Sequence, residues 1–78
     1  MWYVYLLLCK DRSIYTGITN DLEKRFMAHK AGTGARYTRS RKPVKILYSE
    51  TYRSKGRALK REAEIKSWPR VKKIALTK

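Results

Sequence analysis

WYVYLLLC, residues 2–9, is the stretch on which the fold turns. Side chains alternate across a strand, and here both alternating sets are apolar. Trp2, Val4, Leu6 and Leu8 fall on one face, and Tyr3, Tyr5, Leu7 and Cys9 on the other. Such a strand is covered on both sides, so residues 2–9 are expected at the centre of a sheet. The run is too short to cross a membrane, which takes about 20 apolar residues. It also has neither a basic leader nor a small-residue cleavage site. The chain therefore reads as soluble and cytoplasmic, with no membrane partner.

Outward from this strand, Lys10-Asp11-Arg12-Ser13 is a turn, and Ile14 to Ile18 a second strand close enough to complete a hairpin. Asn20-Asp21-Leu22-Glu23 resembles a capping box with Asn20 as N-cap. The helix it opens runs to about Ala31, and Gly32 stops it. Leu22 and Phe26 mark its buried stripe, and Met27 points away. Residues 32–43, GTGARYTRSRKP, lack apolar periodicity and read as a loop. Val44 to Tyr52 reads as a third strand with Val44, Ile46 and Tyr48 on one face. Residues 54–66 read as a second helix, and Pro69 opens a third at N1 through Val71, Ile74 and Ala75. The order ββαβαα describes a small α+β fold, expected as one domain over residues 1–78.

Twenty Lys and Arg stand against six Asp and Glu, a formal net charge of +14. That balance is an electrostatic footprint for a polyanion, most often nucleic acid; a ribosomal or nucleoid-coating protein would share it. The single cysteine, Cys9, excludes an internal disulfide or a cysteine-rich zinc site and reads as a small core residue.

The helical segment ALKREAEIK, residues 58–66, holds an anomaly. On a wheel of about 100° per residue, Glu62 falls inside the apolar arc of Ala58, Leu59 and Ile65, whereas Glu64 falls opposite. In the first helix Arg25 and His29, four apart, border the buried stripe. Tyr37 lies in the basic loop between Arg36 and Arg39, where an aromatic ring can stack on a base. Phosphodiester hydrolysis needs a carboxylate for a divalent metal, a cation for the charge developing on phosphate, and a group beside the attacking water. Glu62, Arg25, and His29 or a strand tyrosine supply these.

These residues resemble the GIY-YIG nuclease superfamily, with Tyr3-Val4-Tyr5 as its first motif and Tyr15-Thr16-Gly17 as its second. Arg25 and His29 follow on the first helix, and Arg61-Glu62 on the later one. The resemblance spans essentially the whole chain and is nearest the stand-alone, single-domain bacterial branch. It implies a three-stranded, mainly antiparallel sheet flanked by helices. It also implies a metal-dependent endonuclease acting on DNA with Mg²⁺ or Mn²⁺ and no small-molecule cofactor. Glu62 would hold the metal, Arg25 the scissile phosphate, and Tyr5 the attacking water. Tyr15 and His29 would shape the site or relay protons, and Gly17 would allow close backbone approach. Tyr3 stands where the family name has Gly, and Thr16 where it has Ile.

Arg36, Tyr37, Arg39, Arg41, Lys42 and Lys45 are the expected nucleic-acid contacts. A non-catalytic binding module or adaptor on the same fold is the competing reading, and Glu62 discriminates, because only the nuclease needs its carboxylate. If Tyr5 and Tyr15 line one site, both rings must leave one sheet face, which requires an odd-numbered loop or a bulge between the first two strands.

Overall fold

The computed structural model describes residues 1–77. Its elements are β1 (Trp2–Cys9), β2 (Ile14–Thr19), α1 (Leu22–Lys30), α2 (Arg36–Arg41), β3 (Pro43–Tyr52), α3 (Lys55–Lys66) and α4 (Arg70–Ala75). The three strands form one sheet in the order β2-β1-β3, both pairings antiparallel. The doubly apolar β1 is central, and Val4, Leu6 and Leu7 are completely buried. Burying each such side chain stabilises the fold by about 1.5–3 kcal/mol.

The β1–β2 loop sets the pairing. The Arg12 N–H donates to the Cys9 carbonyl and the Cys9 N–H to the Ser13 carbonyl, both at 2.9 Å, enclosing the three loop residues Lys10, Asp11 and Arg12. Arg12 adopts a left-handed φ of 70°, as the last residue of a three-residue hairpin loop does. The loop is odd, as the shared-face argument requires. Tyr5 lies opposite Gly17 and Leu7 opposite Tyr15, so both tyrosine rings leave one face.

On β3 the pairing slips twice: Leu6 faces Tyr48 while Leu7 faces Ile46, and Leu8 faces Lys45 while Cys9 faces Pro43. Leu47 and Val44 are thus the supernumerary residues of two bulges. The expectation that Val44, Ile46 and Tyr48 share a face is corrected, because each bulge inverts the alternation. Val44 is half exposed, and Leu47 joins Tyr48 in packing on the core.

That core consists of Val4 and Leu6 from β1 with Ala58 and Ile65 from α3, rimmed by Trp2, Ile14, Ile18, Tyr52, Trp68 and Leu76. Leu59, expected in the apolar arc, is instead exposed, so the inward stripe of α3 is Ala58–Glu62–Ile65. Ser54 caps α3 by accepting from the Arg57 N–H at 3.2 Å. Pro69 is the N-cap of α4 rather than its N1 residue, since its ψ of 161° is extended.

Helix α1 begins one residue later than a cap at Asn20 would place it. Asp21 is the N-cap, accepting from the Lys24 N–H at 3.1 Å, and Glu23 sits in the first turn without closing a capping box. Its C-terminus closes as a Schellman motif. The Gly32 N–H donates to His29 O at 3.1 Å and the Thr33 N–H to Ala28 O at 3.0 Å, with Gly32 at φ 83°. Leu22 and Phe26 are only half-buried, and the one fully buried side chain of α1 is His29. Within the expected loop 32–43 lies α2, whose six residues bury only Thr38 and so carry no apolar periodicity. Among the described residues, no helix is long and apolar enough to cross a membrane.

Candidate active site

Four aromatic rings line the sheet face opposite α3. Tyr5, in mid-β1, is 2% exposed. Its ring lies across Gly17, where a Cβ would fall 2.5 Å from Tyr5 Oη, so only glycine leaves room for the phenol. Tyr15 stands beside it, with ring centroids 6.3 Å apart. His29 descends from α1 between them, 5.9 Å from the Tyr5 ring and 5.2 Å from the Tyr15 ring. Tyr37, from α2, closes the row 5.5 Å from Tyr15, and the Arg41 guanidinium covers Tyr37 at 4.3 Å. Tyr37 is therefore a half-buried wall of this site rather than a free loop aromatic.

A hydrogen-bonded chain runs through the row. Tyr5 Oη lies 2.8 Å from His29 Nε2, and His29 Nδ1 lies 2.7 Å from Thr38 Oγ1. Thr38 Oγ1 in turn donates to the Ala35 carbonyl at 3.1 Å. Arg25, one turn before His29, donates from Nη2 to the Gly34 carbonyl at 2.8 Å. Its Nε is buried and has no partner among the described residues. The same guanidinium is near enough for the phenols of Tyr5 and Tyr15 to act on it.

Burial pushes the Tyr5 phenol up to about 12, with Arg25 opposing and the charges of Tyr15 and Glu62 adding to the rise. Burial, and then repulsion by Arg25, pull the His29 imidazole down to about 4. At neutral pH the site holds a neutral phenol, a neutral imidazole and a guanidinium.

Glu62 approaches from α3 and is near enough for its charge to act on Tyr5. Its side chain is 17% exposed, and Lys66 Nζ, one turn on, stands 3.6 Å away, beyond hydrogen-bond distance. The carboxylate is half-buried and weakly partnered. Among the described residues no three His, Cys, Asp or Glu side chains gather where they could hold a metal. A zinc cage of four protein ligands does not fit this donor set. Mg²⁺ or Mn²⁺ does, because Mg²⁺ is commonly held through one or two carboxylates and completed by water and substrate phosphate.

The neighbour of Glu62 faces elsewhere. Arg61 grips Glu50 with two hydrogen bonds, Nε to Oε1 at 2.9 Å and Nη2 to Oε2 at 3.0 Å. Glu50 also accepts from Tyr48 Oη at 2.6 Å and Tyr52 Oη at 2.7 Å. Arg61 and these two phenols overcome the effect of burial and hold the Glu50 carboxyl down at about 2. This clamp fixes the rotation of α3 against β3. Its signal, Tyr48-x-Glu50-x-Tyr52 at strand spacing, stands in the sequence. Thr38 and Gly34 were also missed, and no local pattern marks either.

Arg36, Arg39, Lys42 and Lys45 are exposed and free to meet a polyanion. Arg41 is exposed too, but it pairs with Asp11 of the β1–β2 loop at 3.1 Å as well as covering Tyr37.

Residues 1–75 match the family model of the GIY-YIG catalytic domain. A UPF0213 protein of Xanthomonas axonopodis pv. citri is 53% identical over 95% of this chain and 72% of its own length. One from Clostridium perfringens is 54% identical over 97% of this chain and 82% of its own. The solution NMR structure of a UPF0213 protein from Bacillus halodurans is 44% identical, with a TM-score of 0.60 over 97% of this chain and 82% of that one.

Proposed function

The chain belongs to the GIY-YIG family, a nuclease superfamily, and from that premise we propose that it is a metal-dependent endonuclease hydrolysing phosphodiester bonds in DNA. The observation that carries this reading is the Arg25 guanidinium, whose buried Nε is unpaired beside a histidine-bound phenol. A buried cationic donor without an acceptor is costly unless an anion completes it. A phosphate oxygen suits the planar fork of arginine.

In this account Arg25 receives the scissile phosphate and stabilises the charge that grows on it in the transition state. Tyr5 holds the attacking water, taking its proton while the phenol's own proton moves to His29 Nε2, so that no full charge builds on the buried oxygen. Values of about 12 for Tyr5 and about 4 for His29 keep that proton on Tyr5 at rest. The transfer therefore accompanies attack rather than preceding it. Tyr15 packs against both groups and fixes their spacing. Glu62 would hold Mg²⁺ or Mn²⁺, which supplies Lewis-acid stabilisation at the phosphate when bound. Gly17 keeps the phenol's path open. Arg36, Arg39, Lys42 and Lys45 meet flanking phosphates, an interaction that weakens steeply with salt.

The test is incubation of the protein with duplex, nicked, branched and single-stranded DNA, and with RNA, in Mg²⁺ or Mn²⁺ against EDTA. Metal-dependent cutting of a DNA substrate is the expected result. Salt-sensitive binding to every substrate with cutting of none would favour the binding-module or adaptor reading.

A further inference from the structure

We propose that Thr38 is a positioning residue that holds His29 in the tautomer carrying its proton on Nδ1, leaving Nε2 as the acceptor for Tyr5. The catalytic consequence rests on the nuclease reading above, whereas the tautomer itself does not.

The assignment follows from counting protons and acceptors. Three O–H or N–H groups share the chain Tyr5–His29–Thr38, and all three residues are at most 2% exposed. In one arrangement Tyr5 O–H donates to Nε2, Nδ1–H donates to Thr38 Oγ1, and Thr38 O–H donates to the Ala35 carbonyl. Every proton then has an acceptor. In the reverse arrangement Thr38 O–H donates to Nδ1, and Nε2–H donates to Tyr5 Oη. The phenol proton must then find another acceptor, and the neighbouring Arg25 guanidinium has only donors. Tyr5 Oη makes no other hydrogen bond among the described residues. A buried donor left unpaired is disfavoured, so the first arrangement prevails.

Gly34 leaves room for that edge of the ring, since a Cβ there would fall 2.5 Å from His29 Nδ1. Thr38 is the only buried side chain of α2. The short basic helix thus delivers one hydroxyl to the histidine.

Within the proposed reaction this tautomer decides whether a relay exists. A water O–H bond breaks as the Tyr5 phenol gains that proton, and the former phenol proton forms the Nε2–H bond. The resulting hydroxide oxygen bonds to phosphorus, and the ester P–O bond breaks, its oxygen taking a proton from solvent. An Nε2 that already carries hydrogen cannot accept.

His29 is the chain's sole histidine, so a long-range ¹H–¹⁵N correlation spectrum of the uniformly labelled protein reads its tautomer without ambiguity. At neutral pH, without metal or DNA, the expected spectrum shows Nδ1 protonated and Nε2 bearing the lone pair. A wild-type Nε2–H form, or an even mixture, would overturn the proposal. Thr38→Val should lose the Nδ1–H preference and Thr38→Ser should keep it. A folded Thr38→Val with an unchanged tautomer would also overturn it. Should that variant not fold, the wild-type and Thr38→Ser spectra still decide. On a cleaved substrate, Thr38→Val should lower kcat on the order of 10- to 100-fold, as loss of partners that orient metal-binding histidines does. KM should hold, and Thr38→Ser should restore the rate. Absence of cleavage would count against the nuclease reading and leave the spectrum to judge Thr38.

Discussion

Acidification from pH 7 to pH 5 should destabilise this protein through a single side chain. His29 is completely buried, and no carboxylate contacts it. Tyr5 and Tyr15 from the sheet, Thr38 from α2 and Arg25 on its own helix surround it, and the one charge among these is positive. Burial and that charge hold its pKa at about 4, against 6.5 for a free histidine. Because the unfolded chain takes up the proton first, the native state loses stability as pH falls through 6.5 toward 4, and none of this effect exists above 6.5. The full gap corresponds to about 3 kcal/mol, of which about 2 kcal/mol falls between pH 7 and pH 5. For a chain of this size that lowers Tm by roughly 10 °C. Glu50, held at about 2, titrates well below this window. Urea unfolding or calorimetry at the two pH values, on wild type and on His29→Gln, reads the effect. The wild type should lose about 2 kcal/mol, and the variant, though weaker at pH 7, should be nearly flat. Equal pH dependence in both proteins would refute the reasoning, as would a His29 NMR titration midpoint near 6.5.

Gly17→Ala should drive the Tyr5 phenol off its hydrogen bond, since the new methyl would fall 2.5 Å from Oη. We expect a loss of about 1–3 kcal/mol, together with a fall in cleavage, read by thermal melting and a single-turnover assay. Glu50→Gln should cost about 1.5–3 kcal/mol, because it weakens a partly buried bidentate pair with Arg61. The wild type should lose this contribution as pH falls from 4.5 toward 2, and the variant should show no such acid-dependent loss. Arg12→Gly should raise stability by about 0.5–1 kcal/mol, because φ is 70° there and the bonds Arg12 makes, N–H to Cys9 and carbonyl from Arg70, are backbone bonds that glycine keeps. Denaturant midpoints check both.

The sheet was legible because its signals are local and redundant. Residues 2–9 are apolar on both faces, and a shared site for Tyr5 and Tyr15 demanded an odd loop, which Lys10–Arg12 supplies. The inward carboxylate of Glu62 was legible from helical periodicity alone, since Ala58 and Ile65 flank it on the buried stripe. The bulges at Leu47 and Val44 were not, because a bulge is a property of a pair of strands and one sequence shows only one of them. Helix α2 escaped notice because one buried threonine in six residues makes no period. The cap fell on Asp21 rather than Asn20, two residues equally suited to it, and only the backbone geometry separates them. At the site, Arg25 and His29 stood out as polar groups beside an apolar stripe. Thr38 and Gly34 reach His29 from a separate segment, and no spacing rule connects them to it.

The most direct test of the account compares wild type with Glu62→Gln on one DNA substrate, measuring binding by anisotropy and cleavage at saturation in Mn²⁺. The variant should bind at least as tightly, having lost a negative charge, while cleavage falls by several orders of magnitude. Cleavage that survives in Glu62→Gln at full occupancy would contradict the central claim, because the carboxylate assigned to the metal would then be dispensable.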